Sequence, residues 1–338
     1  MQARRLIVPK NGGPDVLRVV PCELNEPGTG QVRVRGAFAG INFADLMMRI
    51  GLYRPKPVLP FTPGYEVSGT VDVLGPGVTN FAVGDRVVAT VANGAQQTHV
   101  VVEADQLMLV PEGVSLEDAG AIPVTYLTAW HMLAHLGNLR EGETVLIHGI
   151  AGGVGTAAMQ IAKLFKAGVV YGTASPSKVD GVNERGGVLI NRDNFAAELM
   201  RETKGRGVDH ILDPVGGSVL RQSYKCLAPG GRLYTFGLSA AAPGRRLNPF
   251  AALKAVFAMR GFNLSQMMMD NRGVFGVHMG TFSDFDLLRG HLSQIIEHVV
   301  CGDFEPVIDS VFPLAESTQA HEHIHARRNV GKVLLDLQ

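Results

Sequence analysis

The stretch HGIAGGVG contains the residues best suited to bind a ligand through backbone groups. It follows an apolar run, TVLI, and precedes a segment with helical spacing, so its glycines fall in a predicted strand-to-helix turn. Gly149, Gly152 and Gly155 lack a Cβ, which permits a tight turn and the close approach of a pyrophosphate. The amides of the helical turn that includes Gly153 and Val154 would then meet the phosphates. The sequence therefore predicts dinucleotide binding at this turn.

The end of the second strand in such a fold selects between the two nicotinamide dinucleotides. An NAD site usually has Asp or Glu there to hold the ribose hydroxyls, but GTASPSK has Ala174 and Ser175 instead. Ser175 and Lys178 are suited to a 2′-phosphate, and Arg192, after the third strand, can reach the same group. The alternative is that Lys178 and Arg192 are solvated surface cations. Because the acid is missing, we expect NADPH as the cofactor.

A formal zinc-protease signature, HExxH, occurs near the end of the chain in HEHIH, residues 321–325. The metzincin continuation fails, because Arg328 and Gly331 occupy the places where Gly and His are needed. We therefore predict no metal site here and interpret the stretch as a histidine-rich, solvated face of the last helix.

Two kinds of predicted element surround these motifs. The first third of the chain is β-rich: in QVRVRGAFAG, valine alternates with arginine as in a half-buried strand. Ser115 with Asp118 forms a predicted capping box that opens a helix. From residue 144, apolar strands alternate with helices, which indicates parallel βαβ units wound on both faces of a sheet. The predicted strands are 144–150, 169–174, 187–192, 208–216, 232–238 and, after an insert at 239–272, 274–280.

Composition limits the classes of protein that remain. The 338 residues are 46% hydrophobic and 18% charged with zero formal net charge, which is typical of a globular protein and gives no electrostatic footprint for nucleic acid. Three separated cysteines form no CxxC pair, so we expect neither a disulfide scaffold nor a structural zinc lobe. We see no signal peptide and no apolar run long enough to span a membrane, so the expected location is cytoplasmic.

Four motifs together resemble the medium-chain dehydrogenase/reductase superfamily: GINFADLMMRIGLY, PGYEVSG, GDRV and the glycine turn. The resemblance continues to the terminal NVGKVLL. It is strongest to the zinc-independent quinone oxidoreductases, and within them to the branch that includes the vesicle amine transport proteins. It implies an α/β fold with a GroES-like β-rich catalytic domain, 1–123 and 281–338, and a doubly wound parallel-sheet Rossmann domain, 124–280.

The resemblance also addresses the metal. Zinc alcohol dehydrogenases of this superfamily use a cysteine, a histidine and a second cysteine or an acid, and the matching positions here are Asn42, Tyr65 and Val124. Asparagine, tyrosine and valine do not form a tetrahedral zinc site. We therefore expect hydride transfer to an acceptor that needs no Lewis acid, such as a quinone or an α,β-unsaturated carbonyl.

Site roles follow from the same resemblance. It implies that Asn42 and Thr128 lie near the nicotinamide and that Tyr53 lines the substrate side, while Asp45 is structural and accepts backbone hydrogen bonds. Tyr65 is either an apolar filler or a phenolic hydrogen-bond donor. We also assign three residues to the cofactor: Gly237, Phe275 and Asn329.

Three functions remain open. The leading one is an NADPH-dependent reductase of small quinones or enones, expected as a homodimer. The second is an enoyl-thioester reductase. The third is a membrane-associated nucleotide-binding protein with little turnover, whose only support is the basic and aromatic insert; we favour a lid or a dimer contact for that insert. The basic, aromatic and methionine residues that distinguish the insert are Arg245, Arg246, Lys254, Phe250, Phe257, Arg260, Phe262, Met267–Met269 and Arg272.

Overall fold

The computed structural model describes residues 2–338 and divides the chain into two compact units. Unit 1 comprises Met1–Thr125, Arg245–Leu247 and Ile296–Gln338, and unit 2 comprises Tyr126–Gly244 and Asn248–Ile295. The first change of unit falls close to the expected boundary at 123/124. Unit 1 resumes at Ile296, inside the helix Phe285–Val300, whereas the sequence analysis places the return at residue 281.

The regular elements are numbered along the chain. The strands are β1 (Arg4–Ile7), β2 (Arg18–Pro21), β3 (Gln31–Ile41), β4 (Glu66–Leu74), β5 (Arg86–Thr90), β6 (His99–Glu103), β7 (Leu107–Leu109), β8 (Val145–His148), β9 (Val170–Ala174), β10 (Gly187–Asn191), β11 (Val208–Asp213), β12 (Leu227–Thr235), β13 (Gly273–Gly276), β14 (Ile308–Pro313) and β15 (Lys332–Asp336). The α-helices are α1 (Phe43–Ile50), α2 (Leu116–Ala121), α3 (Pro123–Trp130), α4 (Gly153–Leu164), α5 (Val179–Asn183), α6 (Phe195–Glu202), α7 (Gly217–Lys225), α8 (Pro249–Ala258), α9 (Leu264–Asp270), α10 (Phe285–Val300) and α11 (Ser317–His325).

Unit 1 is built on a largely antiparallel sheet in the order β14-β15-β3-β4-β5-β7, with β6 also paired to β3. The valines of β3 are buried, as the alternation predicts, and Arg35 is exposed. Arg33 is buried as well, since its guanidinium is held by Asp72 at 2.6 Å and by Glu26 at 2.9 Å. Ser115 starts α2 as predicted, with its hydroxyl accepting the Asp118 amide at 2.9 Å.

Unit 2 contains a six-stranded parallel sheet in the order β10-β9-β8-β11-β12-β13. This is the doubly wound order: successive strands are added on one side of β8 as far as β10, and on its other side from β11 onwards. The strands next to this point, β8 and β11, are buried along their whole length, as expected for a sheet covered on both faces, although β11 carries Asp209, His210 and Asp213. The predicted α/β class with a β-rich domain and a parallel-sheet domain is therefore confirmed.

The insert at 239–272 carries α8 and α9. Arg245 and Arg246, which belong to unit 1, are paired with Glu322 at 3.2 Å and Asp15 at 3.3 Å. The apolar residues of the helices are largely exposed: Phe250 (86%), Leu253 (69%), Phe257 (66%), Leu264 (78%), Met268 (72%) and Met269 (74%). Along residues 2–338, none of the helices combines the length and the apolar character that crossing a membrane requires.

Candidate functional site

The glycine turn of unit 2 lies at the carboxyl end of β8. Gly149 follows the strand with φ +70°, in the left-handed region, and its carbonyl accepts the Gly152 amide at 2.9 Å. Gly153 then opens α4, a helix of 12 residues. The amides of Gly153, Val154 and Gly155 are thus the first of this helix, where orphan N–H groups and the helix dipole favour an anion.

The lack of side chains in this turn is a steric requirement. A Cβ on Gly155 would lie 2.5 Å from the carbonyl carbon of Ile150 and 2.6 Å from the carbonyl oxygen of Gly149. At Gly149, by contrast, the nearest atom to an added Cβ is Pro214 Cγ at 3.9 Å. The helix is therefore packed tightly onto the turn while space remains beside Gly149. This cradle fits the pyrophosphate of a dinucleotide.

The end of β11 meets the glycine turn at the switch point of the sheet. Gly237 lies against it, since an added Cβ would be 2.7 Å from the Pro214 carbonyl oxygen. Asp213 shapes the same turn: its Oδ1 accepts the amides of Val215 at 2.7 Å and Gly216 at 3.0 Å. Its Oδ2 is buried without a protein partner, and burial raises the pKa of the Asp213 carboxyl to about 6. Asp213 is a polar group of this site that the sequence analysis missed, although DPVGG ends a predicted strand.

Residues proposed for the ribose end follow two adjacent strands. Ala174 ends β9 and is the register partner of Asn191, which ends β10. Ser175 and Arg192 come directly after these partners, so the two strand ends bring them to one edge of the sheet. Lys178 closes a short turn in which its amide donates to the Ser175 carbonyl at 3.0 Å. The Arg192 side chain is half-exposed, and its Nε lies 3.7 Å from Asp193 Oδ1.

Two further predicted residues belong to unit 2. Thr128 is buried in α3. Phe275 lies on β13, where its ring stacks on Tyr234 with centroids 5.6 Å apart. Their assignment to the nicotinamide and the cofactor stays a prediction.

In unit 1, Asn42 belongs to a buried polar network. Its Nδ2 donates to Glu66 Oε1 at 2.9 Å, and its Oδ1 accepts from Lys332 Nζ at 2.6 Å. Lys332 also forms an ion pair with Glu66, whose Oε2 accepts the Val124 amide at 2.7 Å. Glu66 is fully buried and Lys332 is 3% exposed. Asn42 and Val124, two of the three residues expected at zinc-ligand positions, thus both contact Glu66.

Asp45 has the structural role expected of it. Its carboxylate accepts the Asn42 amide at 2.7 Å and the Gly64 amide at 2.9 Å, which ties the start of α1 to the loop before β4. Burial raises the pKa of Asp45 to about 7, although both hydrogen bonds act in the opposite direction.

Tyr53 and Tyr65 lie together, with ring centroids 6.2 Å apart. Tyr65 is 8% exposed, packs in the core of unit 1, and donates its hydroxyl to Met48 Sδ at 3.6 Å. It therefore combines the two roles left open for it, filler and donor. Burial raises the pKa of both phenols, that of Tyr65 by far the more, so neither is suited to act as a base near neutral pH.

Asn329 lies in the segment between α11 and β15. Its Nδ2 donates to the Gly331 carbonyl at 2.8 Å, which shapes the approach to Lys332. The predicted contact of Asn329 with the cofactor stays a prediction.

The prediction of a solvated face for HEHIH is wrong. His321 is fully buried and His325 is half-buried, because the guanidinium of Arg49 on α1 lies against both rings. Arg49 donates to His321 Nδ1 at 3.1 Å and to His325 Nε2 at 2.6 Å. His323 is paired with Asp309 at 2.7 Å. Burial and the adjacent Arg49 hold the pKa of His325 at about 4, so both rings that face Arg49 serve as neutral acceptors.

Glu66 and Lys332 are the principal residues of the site that the sequence analysis missed. Both occur in motifs that carry the family resemblance, PGYEVSG and NVGKVLL, but no role was evident for them. The only local signal is a charged residue at the first position of a predicted strand.

Two family models match this chain. The one described as alcohol dehydrogenase GroES-like domain matches residues 28–112, and the one described as zinc-binding dehydrogenase matches residues 188–335.

Known proteins are similar over nearly the full chain. The human synaptic vesicle membrane protein VAT-1 homolog is 36% identical, over 98% of this chain and 86% of its own length. The quinone oxidoreductase of Pseudomonas aeruginosa is 34% identical, over 98% of this chain and 99% of its own. The crystal structure of Escherichia coli quinone oxidoreductase complexed with NADPH is 27% identical, with a TM-score of 0.84 over 98% of this chain and 99% of that one.

Proposed function

This chain belongs to the medium-chain dehydrogenase/reductase superfamily of oxidoreductases, and from that premise we propose that it is an NADPH-dependent, zinc-independent reductase of quinones or α,β-unsaturated carbonyl compounds. The observation that carries the proposal is the glycine cradle at the carboxyl end of β8, which is too tight for any side chain at Gly155 and open beside Gly149.

Each group of residues has a part in this proposal. Gly149, Gly152 and the first amides of α4 hold the pyrophosphate, and Ser175, Lys178 and Arg192 hold the 2′-phosphate. When bound, the reduced nicotinamide supplies a hydride. Four residues orient the nicotinamide and the acceptor: Asn42, Tyr53, Tyr65 and Thr128. Three more contact the cofactor: Gly237, Phe275 and Asn329.

The decisive experiment follows NADPH oxidation against a panel of quinones, enones and enoyl thioesters, with and without a chelator. We expect turnover of quinones or enones that the chelator does not reduce. Turnover of enoyl thioesters alone would favour the alternative reductase. A rate that collapses on chelation and returns with zinc would contradict the interpretation of Asn42, Tyr65 and Val124.

One specific observation favours the third candidate function, a membrane-associated nucleotide-binding protein with little turnover. This observation is the exposed apolar face of α8. Phe250 and Phe257 are 86% and 66% exposed on a helix that also carries Lys254. We favour a contact between two copies in a cytoplasmic homodimer. Sedimentation of the protein and flotation with lipid vesicles, each repeated with Phe250→Ser/Phe257→Ser, separate a dimer contact from a membrane contact.

Lys178→Ala tests the choice of cofactor. A charge-assisted bond to the 2′-phosphate contributes about 1–3 kcal/mol, so NADPH affinity should fall while NADH affinity is nearly unchanged. Calorimetric titration with both cofactors measures this. Lys163→Ala is the matched control, since Lys163 is an exposed lysine at the other end of α4. Equal losses for NADPH and NADH would refute the assignment.

Asn42→Ala tests the substrate side. Loss of one positioning hydrogen bond should lower turnover about ten- to a hundredfold. Tyr53→Phe should have a mild effect, because its raised pKa makes an obligatory proton shuttle unfavourable. A loss beyond about a thousandfold in Tyr53→Phe or Tyr65→Phe, with cofactor affinity intact, would instead assign that phenol as the proton donor.

A further inference from the structure

Three strand ends meet beside Asn42 in unit 1. Ile41, the last residue of β3, is the register partner of Val333 on β15, and Ala39 is the partner of Val67 on β4. Both partner strands run antiparallel to β3. The end of β3 therefore lies next to the first residues of the other two strands, which are Glu66 and Lys332.

This arrangement leaves no room for variation in the ion pair. A Cβ on Gly40 would lie 2.7 Å from Lys332 Cε and would overlap the Glu66 carboxylate. Glu66 is fixed on its other side by the Val124 amide at 2.7 Å. Backbone thus confines the pair at Gly40 and at the Val124 amide, and each charged group has more than one hydrogen-bond partner.

The pair dictates how the Asn42 amide is turned. An ammonium group can only donate and a carboxylate can only accept, so Oδ1 must face Lys332 and Nδ2 must face Glu66. One N–H of Nδ2 is used by Glu66. The other N–H belongs to a partly exposed residue and can be donated to a ligand.

The charge on Lys332 also changes the strength of that donor. Because Lys332 withdraws electron density from Oδ1, the amide is polarised and its N–H groups become better donors. Asp45 accepts the backbone amides of Asn42 and Gly64, so the side-chain amide of Asn42 is left to the ion pair. The network therefore presents a strengthened N–H donor beside a buried ion pair whose two charges balance.

We propose that the Glu66–Lys332 pair is a positioning device, which aims and polarises the Asn42 amide so that it donates to the carbonyl oxygen of the acceptor as negative charge develops there. This inference rests on the proposed function. When an enone accepts a hydride from reduced nicotinamide, a C–H bond forms at its β-carbon, the double bonds shift, and the oxygen becomes an enolate. A proton from water completes the product, and the cofactor leaves oxidised. An N–H donor held in position against the enolate oxygen stabilises the negative charge that forms on it.

The test uses Glu66→Gln/Lys332→Met, which removes both charges together. Replacing a buried ion pair by neutral groups of similar shape is often tolerated, whereas removing one partner leaves a buried charge unpaired. We expect the double variant to fold and to bind NADPH as tightly as the wild type by calorimetry. We expect its kcat to fall about tenfold or more, with a smaller change in KM.

The exposed pair Glu141–Lys166, at 3.8 Å, provides the matched control. Glu141→Gln/Lys166→Met makes the same two substitutions, and its kcat should equal that of the wild type. An equal loss in the buried and the exposed double variants would overturn the proposal.

A double-mutant cycle shows whether the pair acts through Asn42. In the Asn42→Ala background, Glu66→Gln/Lys332→Met should lower kcat less than about twofold further, because the group it positions is already absent. Full additivity would overturn the proposal.

The side-chain amide signals of Asn42, assigned by their loss in Asn42→Ala, give a readout that needs no turnover. In ¹⁵N-asparagine-labelled protein, Glu66→Gln/Lys332→Met should shift both amide protons and speed their exchange with solvent. Unchanged signals would overturn the positioning role. If the wild type turned over none of the acceptors, the proposed function would fail whatever these signals show, so the two failures are distinguishable.

Discussion

His148→Gln is expected to remove much of the acid sensitivity of unit 2. His148 is buried at the end of β8, where its ring nitrogens contact Thr173 Oγ1 at 3.1 Å and Ser223 Oγ at 2.8 Å. Burial lowers the pKa of His148 to about 3, against about 6.5 in the unfolded chain. Between these values the unfolded state binds a proton that the folded state does not.

The sign of the effect follows from that difference. The contribution of His148 to stability is complete above about pH 6.5 and is lost as the pH falls towards about 3. The slope is about 1.4 kcal/mol per pH unit, or about 3 kcal/mol between pH 6.5 and about pH 4. The variant should therefore lose about 3 kcal/mol less than the wild type over that interval, whatever its stability at neutral pH.

Trp130 is the only tryptophan of the chain and lies in unit 2, where it packs on Phe165 with ring centroids 5.8 Å apart. Its fluorescence in urea titrations at several pH values thus follows the unfolding of the unit that contains His148. The exposed His278→Gln, in the same unit, controls for the substitution itself. Parallel pH profiles for the wild type and His148→Gln would contradict the prediction.

Features set by neighbouring residues could be predicted from the sequence. The cap of α2 depends on Ser115 and Asp118, three positions apart, and the glycine turn depends on a strand, three glycines and a helix in one short stretch. Asp45 is similar, since one of its two backbone donors is the Asn42 amide. In each case the chemistry of the residue and its local geometry define the interaction.

Features set by distant residues could not be predicted. Glu66 and Lys332 are separated by 266 positions, and each looks like an ordinary charge at a strand end until the sheet pairs them. HEHIH has the composition of a solvated helix face, yet Arg49, 272 positions from His321, turns it into a buried cluster. Charge alone predicts exposure, and only tertiary contacts reveal that a charge is paired and buried.

Gly155→Ala and Gly290→Ala are expected to change stability in opposite directions. Both residues lie in helices of unit 2, where replacing glycine by alanine normally stabilises by up to about 1 kcal/mol. An added Cβ at Gly290 has no heavy atom within 4 Å, so the normal gain should appear. At Gly155 it would overlap the Ile150 and Gly149 carbonyls, which are backbone atoms and cannot rotate away.

We therefore expect Gly155→Ala to destabilise unit 2 by about 3 kcal/mol, the scale of an overpacked core site, as measured by Trp130 fluorescence in urea. Relief of the overlap requires α4 to move off the turn, which separates the amides that would meet the pyrophosphate. NADPH affinity by calorimetry should then fall more than about tenfold, while Gly290→Ala leaves it unchanged. If Gly155→Ala raised stability like its control, or kept full NADPH affinity, the cradle would not depend on the packing of α4 against residues 149–150.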